Sequence, residues 1–241
     1  MIYTVSGRKK PSNMKIIDFL ECGFPDIQLN NIDSVFGFVE ERSTLYGGRE
    51  FKGADLTETD VNDLYAHKIG VRLPLTNHIA TEEEFEDNRS LLEKYHKKGN
   101  AVIITNDLLA KRIRSEFPKY RIEASVIKNI NTHDKIKEAF ELYDTVVLPM
   151  SINQDLDFLR KAKNKKNITL FANAGCALNC TSKICYPSFS KMNKYNGGEF
   201  QCSQRMKIRE LQGMIDFDLQ EFVKLGFTRF KVLRSKGWTG N

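Results

Sequence analysis

Short apolar runs alternate with longer amphipathic stretches along most of the chain. AVIIT at Ala101–Thr105 and TVVLPM at Thr145–Met150 are continuous apolar runs, as expected for strands buried on both faces of a parallel sheet. The stretches between such runs repeat apolar residues at helical spacing, and the segment Ser12–Cys22 is one example. The pattern predicts eight strands: Ile2–Val5, Ser34–Glu40, Val71–Leu75, Ala101–Thr105, Ile122–Ile127, Thr145–Met150, Ile168–Ala172 and Phe227–Leu233.

Helices are predicted between most neighbouring strands. This alternation indicates a parallel sheet covered by helices, and eight strand–helix units in 241 residues match the size of a (β/α)8 barrel. The sequence therefore predicts an α/β fold, a single (β/α)8 TIM-like barrel over residues 1–241, with a cysteine-rich insertion at 172–204 after strand seven. A doubly wound open sheet is the alternative. The predicted helices are Ser12–Cys22, Thr57–His67, Thr81–Lys97, Asp107–Phe117, Thr132–Tyr143, Gln154–Lys163 and Asp216–Leu225.

Composition and charge narrow the class of protein only a little. Hydrophobic residues make up 41% of the chain, charged residues 28%, and the net charge is +6. This balance allows a phosphate-bearing partner without requiring one, because no block of five Lys or Arg occurs. The first residues lack a long apolar stretch and no apolar run reaches 18 residues, so we expect neither a signal peptide nor a spanning helix. We therefore expect no membrane association. The number of cysteines is odd, which argues against a disulfide framework, so we expect a reducing, cytoplasmic location.

Four of the five cysteines, Cys176, Cys180, Cys185 and Cys202, lie within 27 residues. Iron–sulfur clusters and structural zinc both take four thiolates, so this crowding indicates one metal site. The spacing C-x3-C, C-x4-C, C-x16-C lacks the paired C-x2-C knuckles of a zinc ribbon. An iron–sulfur cluster of the 4Fe–4S type is therefore favoured, zinc is the alternative, and unrelated thiols are the non-functional interpretation. Cys22 is expected to be a packing residue.

Polar residues follow several predicted strands, at the barrel end where functional sites lie. Asn77 and His78 follow strand three, and Arg49 lies in the Gly-rich segment after strand two. These three are predicted to be catalytic residues that hold the substrate. Helix capping is an equal alternative for Asn106 and Asn153. The other polar residues at strand ends are Glu40, Glu41, Arg42, Asn106, Asp107, Lys128, Asn153, Asn173 and Arg234.

Several of these segments together resemble the peptidase family thirty-two, the collagenase-like group. The resemblance is carried by NAGC at Asn173–Cys176 directly after a strand, by the cysteines that follow, and by the final LGFTRFKVLR. Phe230–Lys231 is similar to a Phe-Lys pair on a late strand of that family. The 17-residue step from Cys185 to Cys202 is similar to a step between two cluster cysteines of the family. YGGR at Tyr46–Arg49 resembles its Gly-rich stretch. Ala174 departs from the Asn-Glu-Gly-Cys of many relatives.

The resemblance implies an iron–sulfur barrel related to proteins of oxygen-independent ubiquinone hydroxylation and of tRNA and ribosomal RNA hydroxylation. The expected function is a redox enzyme, an Fe–S-dependent hydroxylase acting on RNA or on an aromatic small molecule. There are two alternatives: a non-catalytic subunit that carries the cluster within a complex, and a peptidase. Against the peptidase, the sequence shows no H-E-x-x-H motif and no recognisable Ser–His–Asp order. For an RNA substrate, the charge at the barrel mouth is expected on Arg42, Arg49, Lys128 and Arg234.

Overall fold

Eight parallel strands close into a barrel in sequence order, and the last strand pairs with the first. The computed structural model describes residues 1–48, 55–178, 180, 182–203 and 215–233. The predicted (β/α)8 TIM-like barrel is therefore confirmed, and the alternative of an open sheet is excluded. The strands are β1 (Ile2–Ser6), β2 (Ile32–Phe36), β3 (Gly70–Leu73), β4 (Ala101–Ile104), β5 (Arg121–Ala124), β6 (Thr145–Val147), β7 (Ile168–Phe171) and β8 (Arg229–Val232).

Helices cover the outside of the barrel and cross from one strand to the next. Among the described residues, no helix is long and apolar enough to cross a membrane. Short 3-10 turns occur at Leu29–Asn31, Val126–Lys128, Met150–Gln154 and Lys165–Asn167. The α-helices are α1 (Ile16–Gly23), α2 (Glu58–Ala66), α3 (Glu82–Asp87), α4 (Arg89–Lys94), α5 (Asp107–Glu116), α6 (His133–Ala139), α7 (Leu156–Lys161), α8 (Cys185–Tyr195) and α9 (Leu219–Lys224).

Two helices differ from the prediction for local reasons. The predicted helix Thr81–Lys97 is divided at Asn88, whose side-chain amide donates to the Glu84 carbonyl at 2.7 Å and to the Thr44 hydroxyl at 3.2 Å. Helix α8, between the cysteines, was not predicted. Its Pro187 lies in the first turn, where a missing N–H removes no helical hydrogen bond, and Asn196 ends the helix with φ 51°.

Alternate residues of each strand face opposite sides of the barrel wall. Val71 and Leu73 on β3 and Ile122 and Ala124 on β5 are fully buried in the main hydrophobic core, which the covering helices complete. The residues between them, Arg72 and Glu123, face the barrel interior. The wall is thus apolar on its outer face and charged within.

The interior charges form what we call the interior ion network: Asp33, Arg72, Arg121, Glu123 and Lys231. Arg72 pairs with Glu123 and, at 2.9 Å, with Asp33, while Lys231 Nζ lies 3.2 Å from Glu123 Oε1. Arg121 completes the network by pairing with Asp33. Burial by itself raises the pKa of Glu123, but the charges of Arg72 and Lys231 outweigh it and hold that pKa below its usual value.

Candidate functional site at the barrel mouth

The four clustered cysteines follow β7, at the carboxyl end of the barrel strands. Cys176 is exposed, whereas Cys180, Cys185 and Cys202 are half-buried, and Cys185 is the first residue of α8. The pKa of Cys185 is raised to about 11, first by burial and then by the charges of the thiolates of Cys176, Cys180 and Cys202. The charges of the other three cysteines therefore act on Cys185 through space.

Cys180 receives hydrogen bonds that favour its thiolate. The backbone N–H of Lys183 donates to Cys180 Sγ at 3.4 Å, and the Ser203 hydroxyl lies 3.6 Å from the same sulfur. Burial raises the pKa of Cys180, but these contacts and others from Ser182 outweigh it and lower the pKa. Donors aimed at sulfur are one means by which proteins tune thiolate-bound clusters.

The metal itself stays a prediction. Within the described ranges, no group of three or more His, Cys, Asp or Glu side chains is arranged to hold a single metal ion. The fit of the cysteine site to a cofactor therefore rests on its donor set. That set consists of four thiols, three of which act on Cys185 by their charge, and one of these three, Cys180, already accepts hydrogen bonds as a bound thiolate does.

A small apolar cluster lies where the barrel meets the cysteine segment. Val147 and Phe171 end β6 and β7, and they pack against Met150, Ala174 and Leu178. We call these five residues the mouth cluster. Because Ala174 and Leu178 stand on either side of Cys176 in the sequence, the mouth cluster holds the first part of the cysteine segment against the barrel.

Asn77, predicted to contact substrate, is fully buried and ties α8 to the barrel. Its side-chain amide nitrogen donates to the carbonyls of Thr44 at 2.9 Å, Ser190 at 3.1 Å and Tyr46 at 3.5 Å. Its oxygen accepts the N–H of Ile79 at 2.9 Å. The structure thus places Asn77 at the junction of three segments, one of which is the helix that begins with Cys185.

A second contact joins the same elements through the Gly-rich segment. Asn193 on α8 donates to the carbonyls of Tyr46 at 3.1 Å and Gly48 at 2.9 Å. Gly47 lies against the backbone of Thr76, where an added Cβ would come within 2.2 Å of the Thr76 carbonyl group. A residue without a side chain is therefore required at position 47 for this segment to reach β3 and α8 together.

His78 lies beside α8 and contacts Ser190. His78 Nδ1 is 3.0 Å from Ser190 Oγ, and burial lowers the pKa of the imidazole. The distance is that of a nucleophile and its base. Ser190, however, is fully buried within α8, so a substrate carbonyl has no path to its hydroxyl. In this structure the pair fastens α8 to the end of β3, and the predicted catalytic role of His78 stays a prediction.

Of the remaining strand-end residues, some make contacts within their own segment and others join separate segments. Arg49 and Arg234 lie outside the described residues. Asn106 caps α5 by accepting the N–H of Leu108 at 2.9 Å, and Lys128 pairs with Asp107 at 2.8 Å. Asn153 does not cap a helix; its amide donates to the carbonyl of Phe171 at 2.7 Å and ties β6 to β7.

Sequence reasoning did not select Tyr186, which lies near the thiols, or Arg8, whose charge reaches Tyr186. Burial raises the pKa of the Tyr186 phenol, and the charges of Cys185, Cys176 and Cys180 raise it further, while Arg8 opposes them. The Arg8 guanidinium carbon is 5.2 Å from the centre of the Phe36 ring. The available sequence signals are the position of Arg8 just after β1 and that of Tyr186 next to Cys185.

Comparison with known proteins gives one similarity, in structure. No protein-family model matches the chain, and no curated protein matches it by sequence. The solved structure of the U32 peptidase Mk0906 matches with a TM-score of 0.62 and 12% identity, over 97% of this chain and 92% of that one. The resemblance to the peptidase family thirty-two is therefore confirmed at the level of the fold. At this identity the match shows the fold alone.

Proposed function

We propose that Cys176, Cys180, Cys185 and Cys202 bind one iron–sulfur cluster, of the 4Fe–4S type, at the mouth of a redox enzyme. The observation that carries this proposal is the position of four cysteines within residues 176–202, after β7, at the barrel end where (β/α)8 proteins place their sites. Four thiolates crowded together repel one another, and bound metal cations offset that repulsion. The cluster, when bound, supplies electron transfer.

The expected reaction class is an oxygen-independent hydroxylation of RNA or of an aromatic small molecule. Its support is the barrel fold shared with a U32 peptidase, together with the cysteine segment that resembles the iron–sulfur members of that family. In this proposal the chain's own residues hold the site in shape. Asn77 and Asn193 fix α8 and hence Cys185, while the Cys180 hydrogen bonds orient its sulfur.

Anaerobic purification with a visible spectrum and iron and sulfide assays tests the cofactor. We expect about four iron and four sulfide per chain, as a 4Fe–4S cluster requires. Serine at Cys176, Cys180, Cys185 or Cys202 should remove most of the iron, because each supplies one of the four thiolates. Cys22 lies exposed on α1, so the expectation of a packing residue is wrong. Cys22→Ser is the matched control and should retain all of the iron.

Two outcomes overturn the assignment. If the chain contains stoichiometric zinc and no sulfide, the site is a structural zinc site and not a cluster. If Cys22→Ser loses as much iron as the variants of the four clustered cysteines, these four are not specific ligands. The peptidase alternative is tested separately with Ser190→Ala; Ser190 contacts His78 at the distance of a nucleophile and its base, but it is buried and would have to become accessible to act on a peptide. Peptide hydrolysis that depends on Ser190 would favour the peptidase. A cluster-bearing chain that turns over no RNA or aromatic substrate would favour the non-catalytic subunit.

A further inference from the structure

Lys183 joins Cys180, helix α8 and the barrel through three separate polar groups. Its backbone N–H donates to Cys180 Sγ at 3.4 Å, and its carbonyl accepts the N–H of Tyr186 at 3.1 Å in the first turn of α8. Its ammonium group donates to Asn129 Oδ1 at 3.1 Å, across 54 positions of sequence. One residue thus links a proposed cluster ligand to the segment that follows β5.

Both residues of the Lys183–Asn129 contact have a backbone conformation that residues with a Cβ rarely adopt. Lys183 has φ 47° and Asn129 has φ 51°, in the left-handed region. Asparagine tolerates this region because its short polar side chain bonds locally, whereas lysine does not share that advantage. Such conformations persist where surrounding contacts hold them, and they cluster at functional sites. The contacts of Lys183 therefore hold its N–H toward the sulfur against a local backbone preference.

The Ser203 hydroxyl approaches the same sulfur from the far end of the cysteine segment. It lies 3.6 Å from Cys180 Sγ, and Ser203 is exposed. A ligating thiolate accepts hydrogen bonds, so the Ser203 hydroxyl and the Lys183 N–H are both donors when Cys180 binds metal. Cys180 Sγ therefore has one donor that is tied to the barrel and one that is supplied by its own segment.

We propose that Asn129 and Lys183 form a positioning pair that sets the reduction potential of the cluster by holding a hydrogen-bond donor on Cys180. A reduced cluster carries one more negative charge than an oxidised one. A donor to its sulfur therefore stabilises the reduced state more and raises the potential. The inference rests on the proposed function for the identity of the metal centre, whereas the effect of the pair on metal affinity applies to any metal that Cys180 binds.

Asn129→Gly removes the acceptor of the Lys183 ammonium group and keeps the left-handed backbone, because glycine populates it without strain. We expect this variant to keep its iron and sulfide and to favour the oxidised cluster about threefold, which is a fall of about 28 mV in the reduction potential of a one-electron couple. Anaerobic titration with dithionite, followed by the visible spectrum and by electron paramagnetic resonance, measures the potential.

Asn131→Gly is the matched control for Asn129→Gly. Asn131 also accepts from a lysine ammonium group, that of Lys135 at 3.0 Å, but this partner lies on α6 and not on the cysteine segment. The potential of Asn131→Gly should equal that of the unmodified chain. Equal potentials in Asn129→Gly and Asn131→Gly would overturn the proposal.

Ser203→Ala tests the effect of hydrogen bonds to Cys180 without changing the barrel. Removal of the hydroxyl should lower the potential, and Ser203→Thr, which keeps a hydroxyl, should restore it. Because Ser203 is exposed, neither change should disturb the fold. An unchanged potential in Ser203→Ala, or an equal fall in both Ser203 variants, would contradict control of the potential through Cys180.

Cobalt(II) binding to the metal-free full chain separates this inference from the proposed function. Loss of a group that orients a ligand weakens metal binding about 10–100-fold, so Asn129→Gly should bind cobalt(II) about tenfold more weakly than Asn131→Gly. A chain that holds zinc and no sulfide, yet shows this difference, loses the proposed redox function and keeps the positioning pair. A chain with a complete cluster, but with equal potentials and equal cobalt(II) affinities in the two variants, keeps the cluster and loses the pair.

Discussion

The interior ion network and the cysteine site both gather ionisable groups at the barrel, but they do so in opposite ways. In the network, each carboxylate accepts from two cations at hydrogen-bond distance, and the pKa values of Glu123 and Asp33 lie below their usual values. In the cysteine site the groups are alike; burial raises the pKa of Cys185, and the charges of the other cysteines raise it further. Opposite charges stabilise the fold without help, whereas like groups need a counter-charge from a ligand. The comparison thus separates structure from function within one barrel.

The two regions also differ in how they are anchored. The network lies on the strands themselves, so its geometry is set by the backbone pairing of the closed barrel. The cysteines lie on a segment that reaches the barrel through side chains, chiefly Asn77 and Asn193 and the mouth cluster. Removing one charged residue of the interior ion network should therefore reduce mainly the stability of the barrel. Removing Asn77 or Asn193 should alter mainly the geometry of the cysteine site.

The largest effect on stability is expected from Glu123→Ala. This change leaves Arg72 and Lys231 buried without the carboxylate they share, and breaking a buried ion pair costs about 3–5 kcal/mol. Urea unfolding measures the free energy of unfolding. Glu123→Gln is the control, because it keeps the size and the acceptor oxygen and should lose less. A loss below about 1 kcal/mol in Glu123→Ala would show that water or an ion compensates the two cations.

The next effect is expected from Asn77→Ala, which removes the amide that joins α8 to the barrel. Leaving buried carbonyls without their donor should cost about 2–3 kcal/mol. Hydrogen exchange should rise throughout Cys185–Tyr195, because the helix loses its contact with β3.

Asn88→Ala is the matched control for Asn77→Ala. Asn88 is also buried and also donates to Thr44, but its second acceptor is the Glu84 carbonyl within α3 and not a group of α8. We expect a comparable loss of stability without faster exchange in Cys185–Tyr195 and without loss of iron. If both variants accelerate exchange in α8 equally, Asn77 has no special part in positioning the cysteine site.

Much of the fold follows from the sequence because barrel strands are short apolar runs at regular intervals. All eight predicted strands occur, but several end earlier than predicted. β2 ends at Phe36, although the apolar run continues through Phe38 and Val39. Phe38 is buried for another reason, since its ring stacks on Tyr46 at 4.4 Å. A buried loop residue and a strand residue carry the same hydrophobic signal, so periodicity alone does not separate them.

The site was predictable only where its residues are neighbours in sequence. The cysteines stand close together in the chain, and in the structure the charges of Cys176, Cys180 and Cys202 act on Cys185. Asn129 and Lys183 are 54 positions apart, and no local pattern encodes their contact. Asn77 was selected for its position after a strand. Its three carbonyl partners come from distant segments, so its role as an anchor required the structure.

The smallest effect, and the one that tests the network by pH, is expected from Asp33→Asn. Burial raises the pKa of Asp33, but the charges of Arg72 and Arg121 and a hydrogen bond from Arg121 outweigh it, so the pKa lies below its usual value. A depressed carboxyl pKa gives stability that is present above the pKa of the unfolded state and is lost as pH falls through the folded value. Hydrogen bonds to charged groups contribute about 1.5–3 kcal/mol, and the partial exposure of Asp33 places this change near about 1.5 kcal/mol at pH 7.

In the Asp33→Asn variant, the loss of stability on acidification below about pH 4 should be less steep than in the unmodified chain, because the variant has no proton to bind at this position. Unfolding free energies measured from pH 7 to pH 2 give the two curves, which should converge at the acid end. Asp157→Asn is the control, because Asp157 forms an exposed ion pair with Arg160 within α7. Its curve should coincide with that of the unmodified chain. Parallel curves for Asp33→Asn and the unmodified chain would mean that the Asp33 carboxylate is not held ionised by its arginines.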